Sequence, residues 1–303
     1  MILKDNYKIL SLALIFLSVL SFFWGFYLDE NSAGAGGYNG DYRNSWQSIQ
    51  VFLNYDIVTA LDKSDHLSNR PPLIWILHTK LNPFVITETG YRRSVFFISL
   101  IVPVLFYLCL KQKFKNEDNL LLTLIASTIF LSPYYRTSAY WGLEENYSFI
   151  ALLITFLFLN NFLIDKKQNT YKTHFNLFLL TFFSSLCIYF DQKLLIIPII
   201  CFSTIIFSES FTKLKILSIV YYLIFSLPFV YLIVLWGGVF PTELTEVRNI
   251  GSEFYPGQIG YASAIVAFYF LPFIFFKNEN IFNLIKKFLS SKINLFLLVL
   301  FFV

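Results

Sequence analysis

The chain has 303 residues, of which 56% are hydrophobic, 20% aromatic and only 14% charged, with a net charge of +4 and a mean hydropathy of +0.62. Soluble domains are nearer a quarter charged, so this balance excludes an ordinary soluble enzyme and points to an α-helical membrane protein. The basic excess lies in short connections, where it suits anionic lipid headgroups and not nucleic acid.

The first apolar block, 9–28, follows Lys4 and Lys8. It is longer than a signal-peptide core and no small-x-small cleavage site follows it, so it reads as a retained membrane helix. It delivers Asp29-Glu30 into "NSAGAGGYNGDY", where glycines permit tight turns and close backbone approach. Residues 29–93 form a long polar stretch, predicted to be the first external loop. Within it "YRNSWQSIQVFLNYD" sets Trp46, Ile49, Phe52 and Leu53 at helical spacing, the pattern of an amphipathic helix on the membrane surface. After the polar turn "LDKSDHLSNR" comes "PPLIWILHTKLN", where Pro71 and Pro72 suit the approach to a second juxtamembrane helix.

Further apolar blocks run at 94–110, 119–133, 147–164, 175–190, 194–208, 214–235 and 261–276. A last one, "INLFLLVLFFV", begins at Ile293 and is too short to cross about 30 Å of hydrocarbon. Either that end is an interfacial stub or the chain continues past Val303, and the abrupt apolar end favours the second. The expected fold is an all-α polytopic membrane bundle of eight or nine transmembrane helices, one domain over 1–303, with interfacial helices in the loop 29–93.

Orientation follows from the basic residues. With a cytoplasmic N-terminus, one side holds 1–8, 111–118, 165–174, 209–213 with Lys215, and 277–292, carrying 14 Lys+Arg against 6 Asp+Glu. The other side holds 29–93, 134–146, 191–193 and 236–260, with 9 against 13, and the two sides together return the +4 of the whole chain. Positive-inside therefore predicts a cytoplasmic N-terminus and an external Asp29-Glu30.

Four external clusters are candidates for chemistry. Asp29-Glu30 is either a helix-boundary marker or a base for taking a proton from a hydroxyl. "RTSAYWGLEEN" holds Arg136, Tyr140, Trp141, Glu144 and Glu145. Its acids either complement the next helix dipole or line a polar pocket. "FDQK" brings Asp191 and Lys193 to the hydrocarbon edge, as a tight turn or as part of a site. "TELTEVRNIGSEFYPGQIGY" contains Arg248, Glu253, Tyr255 and Gln258, with Arg248 a phosphate ligand or a rim charge. Cys109, Cys187 and Cys201 lie in or at the end of apolar blocks and form no disulfide framework. His66 and His78 have no neighbouring thiolate, and no P-loop or Rossmann glycine pattern occurs. An enzyme of this build would take its donor from the membrane.

The succession "LDENSA", "NRPPLIWILH", "YRRSVFFISLIVPVLFYLCLKQKF" and "SPYYRTSAYWGLEENYSFIALLITFLFL" resembles the polytopic GT-C glycosyltransferases. The likeness is to the group holding the lipid A aminoarabinose transferases, the protein O-mannosyltransferases and the bacterial mannosyl and galacturonosyl transferases. It covers about residues 1–165. "FDQKLLIIP" and "WGGVFPTE" are similar, more weakly, to dolichyl-phosphate-glucose glucosyltransferases, although Asp191 stands where that family is usually basic.

The family's Asp-Glu pair falls on Asp29-Glu30, its proline stretch on Arg70-Pro71-Pro72-Leu73, its arginine on Arg92 or Arg93, and its acidic turn on Glu144-Glu145. The resemblance implies sugar transfer from a polyprenyl- or dolichyl-phosphate donor to a lipid, glycan or protein acceptor at the periplasmic or lumenal face. Of the membranes, the bacterial inner membrane is favoured over the endoplasmic reticulum. Asp29 would be the general base, with Glu30 in support. Arg136, Arg92, Arg93, Arg248 and Lys193 would be candidates for the departing phosphate. Glu144 and Glu145 would bind hydroxyls, and Trp46, Tyr140 and Trp141 would stack on sugar. No metal is implied, although the paired acids would accommodate a divalent ion. The rival expectation is a lipid or glycan transporter, or an inactive remnant of such an enzyme.

Overall fold

A computed structural model of the chain describes residues 2–31, 36–61, 70–167, 170–208, 211–238 and Ser290. Among these residues every regular element is helical. In chain order they are α1 (Ile2–Tyr27), a π-helical turn (Gly36–Tyr42), α2 (Arg43–Asn54), α3 (Ile57–Leu61), α4 (Leu73–Leu81), α5 (Glu88–Ser99) and α6 (Ile101–Lys113). There follow α7 (Asn119–Ser127), a 3-10 turn (Thr128–Leu131), α8 (Pro133–Trp141), α9 (Glu145–Asp165) and α10 (Tyr171–Phe190). A second 3-10 turn (Gln192–Leu195), α11 (Ile196–Phe207) and α12 (Thr212–Trp236) complete the set.

Among the described residues five helical stretches are long and apolar enough to cross a membrane: Tyr7–Tyr27, Glu88–Lys113, Glu145–Asp165, Tyr171–Phe190 and Thr212–Trp236. Their outward faces carry bare hydrocarbon, such as Phe16, Leu223 and Val234, which only a lipid environment accommodates without penalty. These features describe an integral, multi-pass membrane protein. Among the described residues the count falls short of the expected eight or nine spans. Two predicted segments, 119–133 and 194–208, form the shorter apolar helices Asn119–Leu131 and Gln192–Phe207. The segments 261–276 and 293–303 lie outside the described residues.

The span assigned to 94–110 begins earlier, at Glu88. Thr87 stands in extended conformation and its side chain accepts the Gly90 N–H, an N-cap that starts the helix inside the stretch read as loop. α5 and α6 run on as one membrane-length element with a break at Leu100. Pro103 explains the break, because it offers no N–H to the carbonyl four residues back, that of Ser99. The Tyr135 hydroxyl donates to that carbonyl at 2.7 Å. Asn146 Nδ2 donates to Ser99 Oγ at 2.8 Å, so the break is closed by α8 and α9.

Inter-helix contact is set by small and hydroxylated residues on the inner faces. α1 turns Ser11, Ser18 and Phe22 inward, one stripe at helical spacing. One buried cluster gathers Phe22, Ile49, Phe52, Trp75, Tyr91, Phe96, Tyr135 and Tyr140 from α1, α2, α4, α5 and α8. A second, of Phe162, Leu177, Leu180, Cys201, Ile205 and Leu214, joins α9 to α12. The surface helix expected around Trp46 is α2, with Ile49 and Phe52 fully buried, and the helix expected after Pro72 is α4. Both dock on the bundle over the first cluster, so the C-terminal end of α1 and the N-terminal ends of α5 and α9 meet beneath a helical lid.

Candidate functional site

The site is built outward from the last turn of α1. Glu30 N–H donates to Gly25 O at 2.9 Å and Asp29 N–H to Phe26 O at 3.2 Å, the paired closure of a Schellman motif. That closure demands a left-handed residue, usually glycine, and here Asp29 supplies it with φ of 54°. Asp tolerates this region better than most residues, but the conformation still costs about 1 kcal/mol or more. The side chain at this turn is 64% exposed.

α8 is stitched onto that turn. Tyr140 donates its hydroxyl to Phe22 O at 2.7 Å, and Trp141 Nε1 donates to Glu30 O at 3.0 Å. Arg136 is buried; it donates to Ser21 Oγ at 2.9 Å and Ser21 O at 3.0 Å, and pairs closely with the Glu30 carboxylate. Gly25 lets this pair lie close on the helix, since a Cβ there would meet the ends of the Arg136 and Glu30 side chains, 2.5 Å from Glu30 Oε2, and displace them. Arg136 and Glu30 thus neutralise each other against the helix backbone.

Arg92, from the second turn of α5, meets Asp29 instead. Its Nη2 lies 2.7 Å from Asp29 Oδ1, its Nε donates to Tyr140 O at 2.9 Å, and its guanidinium stands 4.1 Å from the Trp141 ring centroid. Backbone and ring therefore fix this cation independently of the carboxylate.

The chain reverses at Gly142, where φ of +66° ends α8 and a Cβ would collide with the Tyr91 ring, 2.6 Å away. Tyr91 donates its hydroxyl to the Gly142 carbonyl. Glu144, only 1% exposed, rests against the Arg70 guanidinium, which also lies 3.3 Å from Glu145 Oε1. This third ion pair ties the first-loop proline stretch to the start of α9.

Between these parts opens a cleft of about 420 Å³ lined by Asp29, Asn31, Tyr38, Tyr42, Glu88, Thr89, Arg92 and Trp141. The π-helical turn, a rare geometry found often at functional sites, supplies its tyrosines. Tyr38 lies 4.9 Å from Trp141 and 5.9 Å from Tyr42, centroid to centroid. The Tyr42 hydroxyl donates to Glu88 Oε2 at 3.4 Å. Burial first, and then the Glu88 charge, push the Tyr42 phenol well above its ordinary pKa, so it stays a donor at physiological pH.

Of the residues singled out in the sequence, Asp29, Arg92 and Trp141 meet in the cleft, and Glu30 and Arg136 lie directly behind it. Tyr140 is buried in the wall and Trp46 packs 6.1 Å from Tyr91 on the lid, neither lining the cleft. Glu144 and Glu145 form their own cluster with Arg70. Arg93 is exposed, and Lys193 is exposed in a turn capped by Asp191, whose Oδ1 accepts the Lys193 N–H at 3.0 Å. Arg248 and its cluster lie outside the described residues. Tyr38, Tyr42, Glu88 and Thr89 were not singled out; a Thr-x-x-Gly cap before an apolar run was the available signal for Glu88 and Thr89, and nothing marked the π-turn. Among the described residues no group of three or more His, Cys, Asp or Glu could hold a metal ion.

No family model, no curated protein and no solved structure matches the chain.

Proposed function

We propose that the chain is a GT-C-like glycosyltransferase taking sugar from a polyprenyl-phosphate carrier and passing it to a lipid, glycan or protein hydroxyl. The observation that carries this reading is the cleft itself. An exposed carboxylate in a strained turn, Asp29, faces a ring-mounted cation, Arg92, beside the aromatic wall of Tyr38, Tyr42 and Trp141, at the mouth of membrane-length helices.

In the proposed reaction the acceptor oxygen attacks the anomeric carbon while its proton passes to Asp29. The bond from that carbon to the phosphate oxygen breaks, and its electron pair leaves with the phosphate. Arg92 stabilises the charge gathering there. Arg136 holds Glu30 and the end of α1, so it acts on the reaction through the position of Asp29 and not by touching phosphate. The orientation deduced from the basic residues puts the cleft on the external face, where nucleotide donors are absent and lipid-borne donors are not.

The test is transfer from labelled polyprenyl-phosphate sugars in proteoliposomes. Asp29→Asn should lower turnover by about 100-fold or more, the usual contribution of a positioned base. Turnover equal to the wild type would sink the assignment.

A further inference from the structure

The Asp29–Arg92 pair is peculiar in what supports each side. Arg92 has two supports besides Asp29, since the Tyr140 carbonyl accepts from its Nε and Trp141 lies under its guanidinium. Asp29 is held by a backbone turn in a strained conformation and is largely solvent-exposed. One partner is a fixed cation and the other an exposed, replaceable anion. An ion pair of this exposure contributes well under the strength of a bidentate guanidinium–phosphate contact. The Glu30–Arg136 pair behind it cannot exchange in the same way, because Arg136 is buried and also bonded to Ser21.

From this we infer that Arg92 is an exchange site: a phosphate oxyanion entering the cleft takes Arg92 from Asp29, and that displacement frees the Asp29 carboxylate to accept a proton. Anion binding and release of the Asp29 carboxylate from its cation are then one event. The inference rests on the transferase reading above and adds an order to it, anion first and base second. Glu88, whose carboxylate accepts from Tyr42, is the other acid of the cleft and does not pair with Arg92. Reciprocity requires that whatever Asp29 contributes to holding Arg92 is subtracted from anion affinity.

The experiment is a binding titration on the full chain in zwitterionic nanodiscs, with undecaprenyl phosphate in one arm and inorganic phosphate in the other. Asp29→Asn and Asp29→Gly should bind the anion about two- to fivefold more tightly than wild type, the range expected for removing an exposed competing pair. Gly suits the left-handed turn, so the second variant keeps the fold if the first does not. The tightening must vanish when Arg92→Gln is added. Tightening that persists in the Arg92→Gln background means general repulsion by Asp29, and affinity unchanged or weaker in the single variants means no exchange; either result overturns the inference. Tightening confined to undecaprenyl phosphate assigns a lipid-borne anion, and tightening in both arms assigns the phosphate group alone. The readout is affinity and not turnover, so a failed transfer assay with intact tightening separates this inference from the transferase reading.

Discussion

His78 illustrates how burial at one residue becomes a property of the whole chain. Its Nδ1 lies 2.9 Å from Asn82 Nδ2, and the Asn82 oxygen accepts the Phe84 N–H, which sets the amide so that its nitrogen donates to the ring. The Nε2–H is thereby directed at the Tyr147 hydroxyl, 2.6 Å away. Desolvation lowers the imidazole pKa from 6.5 to about 4. Between these values the unfolded chain binds the proton and the folded chain does not, so stability rises with pH across this window and falls as pH drops through it. His78 should account for a loss of about 3 kcal/mol on going from pH 7 to pH 4. Thermal unfolding at pH 4.5 and 7 measures it: His78→Gln should shrink the difference, and an unchanged difference would contradict the assignment. The same logic of context governs the site. Asp29 and Glu30 are adjacent in sequence, yet one is exposed on Arg92 and the other is neutralised on Arg136. Nothing in the dipeptide separates them; the left-handed turn does.

At the scale of elements, two prolines in apolar helices have a tyrosine from a neighbouring helix bonded to the backbone close by. Pro103 leaves the Ser99 carbonyl to Tyr135 of α8. Pro228 lies inside α12, and beside it the Tyr189 hydroxyl of α10 is 2.5 Å from Phe225 O while accepting the Phe229 N–H at 3.2 Å. Each tyrosine bonds backbone groups near a proline in an apolar medium, where an unpaired backbone group is expensive. Tyr135 is buried, so Tyr135→Phe should leave the Ser99 carbonyl without its donor and destabilise the bundle by about 1–3 kcal/mol, read as a shift in denaturant unfolding. No shift would mean that the break at Leu100 is closed by other means. Apolar length and period made the long helices legible. α8 fell almost wholly within the external connection 134–146, because "PYYRTSAYW" has too little hydrocarbon to look like a span. Its start was nonetheless written in Ser132-Pro133, an N-cap followed by proline at the first helical position, and its end in Gly142.

Over the whole molecule, three ion pairs among the described residues of the first loop gather at one end of the bundle, where α1 finishes and α5 and α9 begin. The opposite end carries Lys111, Lys113 and Lys115 and the Lys172–Asp165 pair. If the basic end is cytoplasmic, Thr89→Cys should react with a membrane-impermeant thiol reagent from the external side. Lys115→Cys should react only from the cytoplasmic side. Labelling of both from one side would overturn the orientation and with it the external site. The native thiols leave a low background, since Cys187 and Cys201 are buried and Cys109 is half-buried.

The sequence by itself determined that the chain is helical and membrane-embedded, because runs of hydrocarbon in water have few alternatives and backbone groups in lipid must bond within their own helix. It also determined which end of the bundle carries acids, because charge placement between spans is a linear property. The tertiary structure alone decided which acid pairs with which arginine, since residues 63 and 106 positions apart meet only when α1, α5 and α8 close on one another. It also decided that two tyrosines of a π-turn and Glu88 of a helix start face Asp29 across one cleft. Pairings of that kind depend on packing in three dimensions, and no local spacing encodes them.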